Sequence, residues 1–171
     1  MNIISIDPSL TSTGIFINKG RKNLTISTAK LKSEKEKYNY IRECFEVIID
    51  ENKIGLCLME DYGYSTQRMK TQAEVKGIIL SIMYKNDIPV MKIPINTWKS
   101  LIDYLPDEKD KKKKKPYMQK INEHYKKEFK STDECDAYLI MRACYLAYQG
   151  ACKIESHLLL QRKLKAMGEL F

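Results

Sequence analysis

Apolar and polar positions fall in blocks along this chain, and the blocks change period in a definite order. Ile3 to Ile6 is a short β-branched run that stops at Asp7 and Pro8. It has the length of a buried strand, and proline cannot extend the hydrogen-bond ladder beyond it. Two more short runs follow, "TGIFIN" from Thr13 and "NLTISTA" from Asn23, separated by Lys19-Gly20. Together the three predict an antiparallel meander. From Ser33 to Asn52 the period becomes helical, with Tyr38, Ile41, Phe45 and Ile48 on one stripe. "IGLCLME" is a fourth strand, ending in Glu60. Gln67 to Lys85 predicts a second helix, in which Ala73 and Gly77 make a small-residue face, and "IPVMKIP" a fifth strand bracketed by Pro89 and Pro94. A helical piece around Trp98, a lysine-rich loop, and helices over Pro116–Lys127, Thr132–Gly150 and Ile154–Leu170 complete the pattern.

Three strands before the first helical crossover exclude a purely parallel doubly wound sheet. The order βββαβαβ followed by helices predicts an α/β domain in which a three-strand meander joins two parallel strands in a mixed five-stranded sheet, with helices on both faces. Residues 1–150 carry this core, and 151–171 read as a helical extension of the same domain.

Composition narrows the partners. The net charge of +8 favours an anionic one, nucleic acid first. Cys44, Cys57, Cys135, Cys144 and Cys152 make no CxxC pair and no zinc spacing, so they read as reduced, mostly buried thiols. No apolar run approaches the ~20 residues of a membrane span, which places the expected site of action in the cytoplasm.

The candidate chemistry lies in carboxylates at element ends. Asp7 ends the first strand and Glu60 the fourth; on parallel neighbours both emerge at one sheet edge, where ligands of open α/β sheets gather. Asp7 alone is equally a turn-capping residue. In "STDECD", Ser131 and Glu134 have capping-box spacing, so Glu134 serves the helix start, whereas Asp133 and Asp136, three apart, share a face. Taken alone, this cluster is also what a helix N-terminus favours. Four acids on three elements without His or Cys suit Mg²⁺, with Mn²⁺ as a substitute, and two such ions per site serve phosphoryl displacement. Trp98 reads as core, and His124 and His157 as surface histidines.

The segments "IISIDPSLTSTG", "LMEDYGYS" and "DECDAYLI" resemble the three acidic motifs of RuvC-type Holliday junction resolvases, nucleases of the ribonuclease H-like fold, over about Met1 to Gly150. The resemblance implies that Asp7, Glu60, Asp133 and Asp136 are catalytic metal ligands in a phage or divergent bacterial member. It implies a homodimer that nicks the symmetric strands of four-way DNA junctions, with other branched DNA as further substrates. It also implies a stacking aromatic at Tyr62 or Tyr64, and DNA-binding lysines at Lys99 and among Lys112, Lys113, Lys114 and Lys115. The five lysines from Lys111 to Lys115 are, physically, a solvated run able to hold phosphates without reading bases. The twofold interface is expected on the Gln67–Lys85 helix, through Ala73, Gly77, Met69, Leu80 and Met83 or Tyr84. The Leu170-Phe171 end is a further candidate for docking a protein partner.

Two other function classes compete. "DPSLTSTG" also resembles the first phosphate loop of actin-like ATPases and sugar kinases, which need a glycine-rich adenosine site; here no glycine lies between Gly77 and Gly150. A non-catalytic junction-binding module would not need all four acids.

Overall fold

The computed structural model describes residues 2–61, 69–106 and 114–168. Its strands are β1 (Asn2–Asp7), β2 (Ser12–Ile17), β3 (Lys22–Ser27), β4 (Ile54–Glu60) and β5 (Val90–Ile93). The helices among the described residues are α1 (Glu34–Asn52), α2 (Met69–Lys85), α3 (Ile95–Leu101), α4 (Lys114–Tyr125), α5 (Thr132–Tyr148) and α6 (Glu155–Ala166). A 3-10 turn at Lys19–Arg21 links β2 to β3, with Gly20 at φ 74°. The strands form one sheet in the order β3-β2-β1-β4-β5. The meander pairs are antiparallel, and β1–β4 and β4–β5 are parallel, as the element order predicts.

Alternation along the strands divides the interior in two. Ile4, Ile6, Cys57 and Met59 face α1 and α2, meeting Ile41, Phe45, Val75 and Ile79. Ile3, Leu56, Leu58 and Ile93 face the other layer, meeting Trp98 of α3, Tyr117 of α4, Leu139 and Ile140 of α5, and Leu160 and Leu164 of α6. The segment beyond 150 thus packs into the same core as α5. None of the described helices is long and apolar enough to cross a membrane.

Local signals account for the helix ends. Ser33 and Glu36 close a full capping box before α1, and Lys53 ends it in the left-handed region at φ 46°. Helix α4 begins at Lys114 and not at Pro116. A first turn tolerates proline because its N–H groups have no partner within the helix. Helix α5 stops at Tyr148, and Gly150 leaves it at φ 97°. His157 corrects its expected surface position: it is 1% exposed, its Nε2 pairs with Ser100 Oγ at 2.7 Å, and its Nδ1 accepts from Lys153 N at 3.1 Å. His124 is exposed and stacks on Tyr104 with ring centroids 4.1 Å apart.

One contact sets the position of α5. A Cβ on Gly14 of β2 would lie 1.9 Å from the carbonyl oxygen of Asp133, so only glycine lets the first turn of α5 rest on the sheet. Ser5 Oγ of β1 donates to Ala137 O at 2.7 Å, fixing the next turn.

Candidate active site

Register brings the first two acids together. Ile6 pairs with Met59 across parallel strands, so Asp7 and Glu60, one position further, end neighbouring strands about 4.8 Å apart. Both fall on the α3–α6 face by alternation, in step with Ser5 and Leu58. The turn after β1 is closed by hydroxyls: Thr13 Oγ1 donates to Ser9 O at 2.6 Å and accepts from Ser9 N at 3.2 Å. Asp7 also pairs in register with Gly14, the residue beneath Asp133, which carries the start of α5 to the same edge.

Ser131 caps α5 by accepting from Glu134 N at 3.1 Å. The Glu134 carboxylate is occupied locally, accepting from Lys130 N at 2.8 Å and Thr25 Oγ1 at 2.8 Å. It serves the helix start through Lys130 N, one residue before the cap, and not through Ser131 N as a full capping box would. The other acids are each oriented by a donor from a different element. Asp133 Oδ2 accepts from Ser12 Oγ of β2 at 2.6 Å. Glu60 Oε2 accepts from Trp98 Nε1 of α3 at 3.0 Å. Asp136 Oδ1 accepts from Tyr117 Oη of α4 at 2.7 Å. Trp98 and Tyr117 are almost completely buried, so their polar tips are fixed by packing and fix the carboxylates in turn. Burial first, then the charge of Asp136 and its hydrogen bond, raises the Tyr117 hydroxyl far above its ordinary pKa, with Asp7 also contributing. Tyr117 therefore stays a neutral donor, and Asp7 stands within electrostatic reach of it.

Lys76 is a member of this edge that the hydrophobic pattern conceals. It lies on the buried stripe of α2 with Val75, Ile79 and Met83, and is 3% exposed. Burial lowers its pKa, while the charges of Asp61, Glu60 and Asp7 oppose that shift and Lys92 reinforces it. The signal in the sequence is a lysine where helical spacing calls for an apolar residue.

Among the expected DNA-binding residues, Lys99 is half-buried, with its Nζ 5.8 Å from the centroid of the Trp98 ring and so beside the Glu60 donor. Lys115 is exposed near the start of α4. Tyr62, Tyr64, Lys112 and Lys113 lie outside the described residues, as do Leu170 and Phe171; Lys114 opens α4.

The acids supply hard oxygen donors of the kind that suits Mg²⁺ or Mn²⁺, and Glu60, Asp133 and Asp136 are each held through one oxygen. Among the described residues, no three metal-binding side chains are gathered into a ready-made cage. The donor chemistry nonetheless fits a divalent cation, and the charges of Asp61, Glu60 and Asp7 favour the charged form of Lys76 against its burial.

A meander plus two parallel strands in the order 3-2-1-4-5, with acids at the carboxyl end of the central strand, defines a ribonuclease H-like fold. Solved structures bear this out. Thermus thermophilus RuvC in complex with a Holliday junction superposes with a TM-score of 0.68 at 14% identity, covering 87% of this chain and 95% of that one. A second Thermus thermophilus RuvC structure gives 0.67 at 14%, covering 87% and 96%. The yeast mitochondrial Holliday junction resolvase Ydc2 gives 0.50 at 14%, covering 96% and 83%. At this identity the likeness establishes the fold. No protein-family model matches the sequence. No curated protein matches it either.

Proposed function

We propose that this chain is a metal-dependent, structure-selective DNA endonuclease that nicks four-way junctions by phosphodiester hydrolysis. The observation that carries the reading is the convergence of Asp7, Glu60, Asp133 and Asp136 on one sheet edge, three of them oriented by Trp98, Ser12 and Tyr117. The fold shared with RuvC, solved in complex with a Holliday junction substrate, and with the Holliday junction resolvase Ydc2 supports it.

In this reading the four acids hold Mg²⁺, two ions per site, with Mn²⁺ able to replace it. When bound, such ions supply water activation and neutralise charge developing on the phosphate. The chain's own groups set the stage. Trp98 and Tyr117 keep Glu60 and Asp136 in one rotamer, and Ser12 does the same for Asp133. Lys76 balances the carboxylates from the other layer, which limits their mutual repulsion before DNA arrives. Lys99 and Lys115 meet backbone phosphates, as would the lysines before Lys115.

A four-way junction has two symmetric strands to cut, and one chain carries one such edge, so the reading includes a twofold homodimer. On α2, Met69, Ala73, Gly77 and Tyr84 form an exposed stripe, with Tyr84 59% exposed, while Met83 is buried in the core. The interface therefore uses Tyr84 and not Met83. Work in the cytoplasm, in recombination or repair of DNA, is part of the same proposal.

The test is a nuclease assay with Mg²⁺ on four-way, three-way, flap and linear DNA. Preferential paired nicking of the four-way junction, abolished by EDTA and restored by Mn²⁺, is the expected result. Tight junction binding without cleavage under any divalent ion would make the chain a binding module instead.

A further inference from the structure

Away from the acidic edge, the structure holds a second charged feature that this function does not use. A cleft of about 490 Å³ opens between the 3-10 turn, the segment after α4, and the side of α5. Its cations are Arg21, Lys126, Lys127 and Arg142, and among the described residues no carboxylate lines it, Asp103 standing behind Arg142 and Tyr125. Arg142 is paired with Asp103 at 2.6 Å, whereas no salt bridge among the described residues engages Arg21, Lys126 or Lys127. Lys127 and Arg21 stand near enough that Arg21, after burial, helps lower the Lys127 pKa. The cleft therefore presents positive charge to an incoming anion.

The cleft is also aromatic. Tyr138, Met141, Arg142 and Tyr145 lie on one stripe of α5, and Phe16 meets Tyr138 edge-to-face at 5.2 Å between centroids. Lys127 Nζ lies 5.5 Å from the Tyr138 ring centroid, and Arg142 5.2 Å from that of Tyr125. Tyr145, on the rim, is 40% exposed. Along α5, at about 1.5 Å per residue, Tyr138 lies about 8 Å and Tyr145 about 18 Å from Asp133. Tyr145 therefore lies toward the other end of the helix from the acids, while Tyr138 is two positions beyond Asp136.

Cations for phosphates beside exposed aromatic faces are the two elements by which proteins hold unpaired nucleic acid, because every base offers a π-face and every nucleotide a charge. Duplex DNA hides its bases and needs only the cations. We infer that this cleft binds a single-stranded segment of nucleic acid, with phosphates on Arg21, Lys126 and Lys127 and a base on Tyr145. The site rests on the nucleic-acid reading but not on cleavage: it would hold the strand exposed where a branch opens while the acidic edge holds the duplex.

The probe is a labelled oligothymidylate of about fifteen nucleotides, within the range such sites cover, followed by fluorescence anisotropy in EDTA with the full chain. The triple variant Arg21→Asn/Lys126→Asn/Lys127→Ser is chosen because Arg21 and Lys126 have positive φ, at 50° and 51°, which asparagine tolerates. It should bind at least about tenfold more weakly, and its log–log salt slope should fall by about 2, near 0.7 per lost cation. Tyr145→Ala should weaken binding about tenfold with the salt slope unchanged. Asp7→Asn should bind the probe like the parent, which separates the cleft from the nuclease reading: loss of cleavage with retained binding leaves the cleft intact. Arg21→Asn alone, on an exposed turn, repeats the test if the triple variant melts early. An unchanged affinity and slope in the cation variants would overturn the site. So would a loss confined to linear duplex, or indifference to Tyr145→Ala, since either would leave a phosphate contact with no use for an unpaired base.

Discussion

On one face of the sheet, Ile4, Ile6, Ile15 and Met59 pack against Ile41, Phe45, Ile79 and Ile82; on the other, Phe16 and Leu58 pack against Trp98, Tyr117 and Phe129. The first layer is almost wholly aliphatic. The second is built around aromatics whose polar tips end on acids: Trp98 on Glu60, and Tyr117 on Asp136. Both layers bury enough surface to hold the fold, yet only the second reaches the chemistry directly. Aliphatic packing specifies a volume, whereas a buried indole or phenol also specifies a direction. Lys76 is the exception, a buried charged group on the aliphatic side whose charge is favoured by Asp61, Glu60 and Asp7.

The largest expected effect is at the acids themselves. Asp7→Asn, Glu60→Gln or Asp136→Asn should each lower single-turnover junction cleavage by about 10³-fold or more, about 4 kcal/mol of barrier, while junction binding changes little. Near-normal cleavage by one of them would remove that residue from the site. Next is Gly14→Ala, whose methyl group would collide with Asp133 O. It should cost about 3 kcal/mol in urea unfolding, the upper end for overpacking, and disable cleavage by displacing α5.

The contrast between layers is sharpest in a matched pair. Ile6→Ala, in the aliphatic layer, should cost about 3 kcal/mol of stability and leave the rate per folded molecule unchanged. Tyr117→Phe, in the aromatic layer, should cost only about 1 kcal/mol but weaken Mg²⁺ binding about 10-fold or more, as losing an outer partner of a metal ligand does. Titration calorimetry with Mg²⁺ and thermal melts decide it; equal effects of the two variants on metal affinity would erase the distinction.

The smallest effect is at the surface pair. Arg142, through its hydrogen bonds, holds the Asp103 carboxyl at about 2. A folded-state pKa below the ordinary ~3.9 means the pair stabilises the fold above pH ~4, and this is lost as pH falls towards 2. The pair is partly exposed, so Asp103→Asn should cost at most about 1 kcal/mol, or about 3 °C in Tm. The gap from the parent should be full at pH 6 and narrow progressively below pH 4.

Much of this architecture is legible in the chain because period and punctuation agree. The β-branched run stopping at Asp7-Pro8, the capping box at Ser33, and the S-x-x-E at Ser131 each mark a boundary that the structure keeps to within a residue or two. The edge shared by Asp7 and Glu60 follows from parallel neighbours. The orienting donors do not follow from any local pattern. Trp98 reads as core, and it is core, as is Tyr117; that their N–H and O–H reach acids on other elements depends on three-dimensional packing. His157 was equally hidden, since its partner Ser100 lies on another helix. Lys76 left a visible trace, a charge on an apolar stripe, but its meaning depended on which layer α2 occupies. The basic cleft combines residues from the β2–β3 turn, the α4–α5 connection and α5, and no linear window contains it.

The seat of α5 on Gly14 has a consequence in time. Ser12 and Asp133, which meet beside it, are 121 positions apart. As the chain is synthesised, the meander emerges first with Asp7, then β4 with Glu60, and the other two acids arrive only with α5. Contacts so distant in sequence are the slow ones to form, and a domain folds as a unit only once its chain has been made. The acidic edge is therefore incomplete in every growing or prematurely ended chain that lacks α5. On the proposed function, an enzyme that cuts DNA would thus be made harmless until α5 docks, with one glycine admitting the half of the site that arms it.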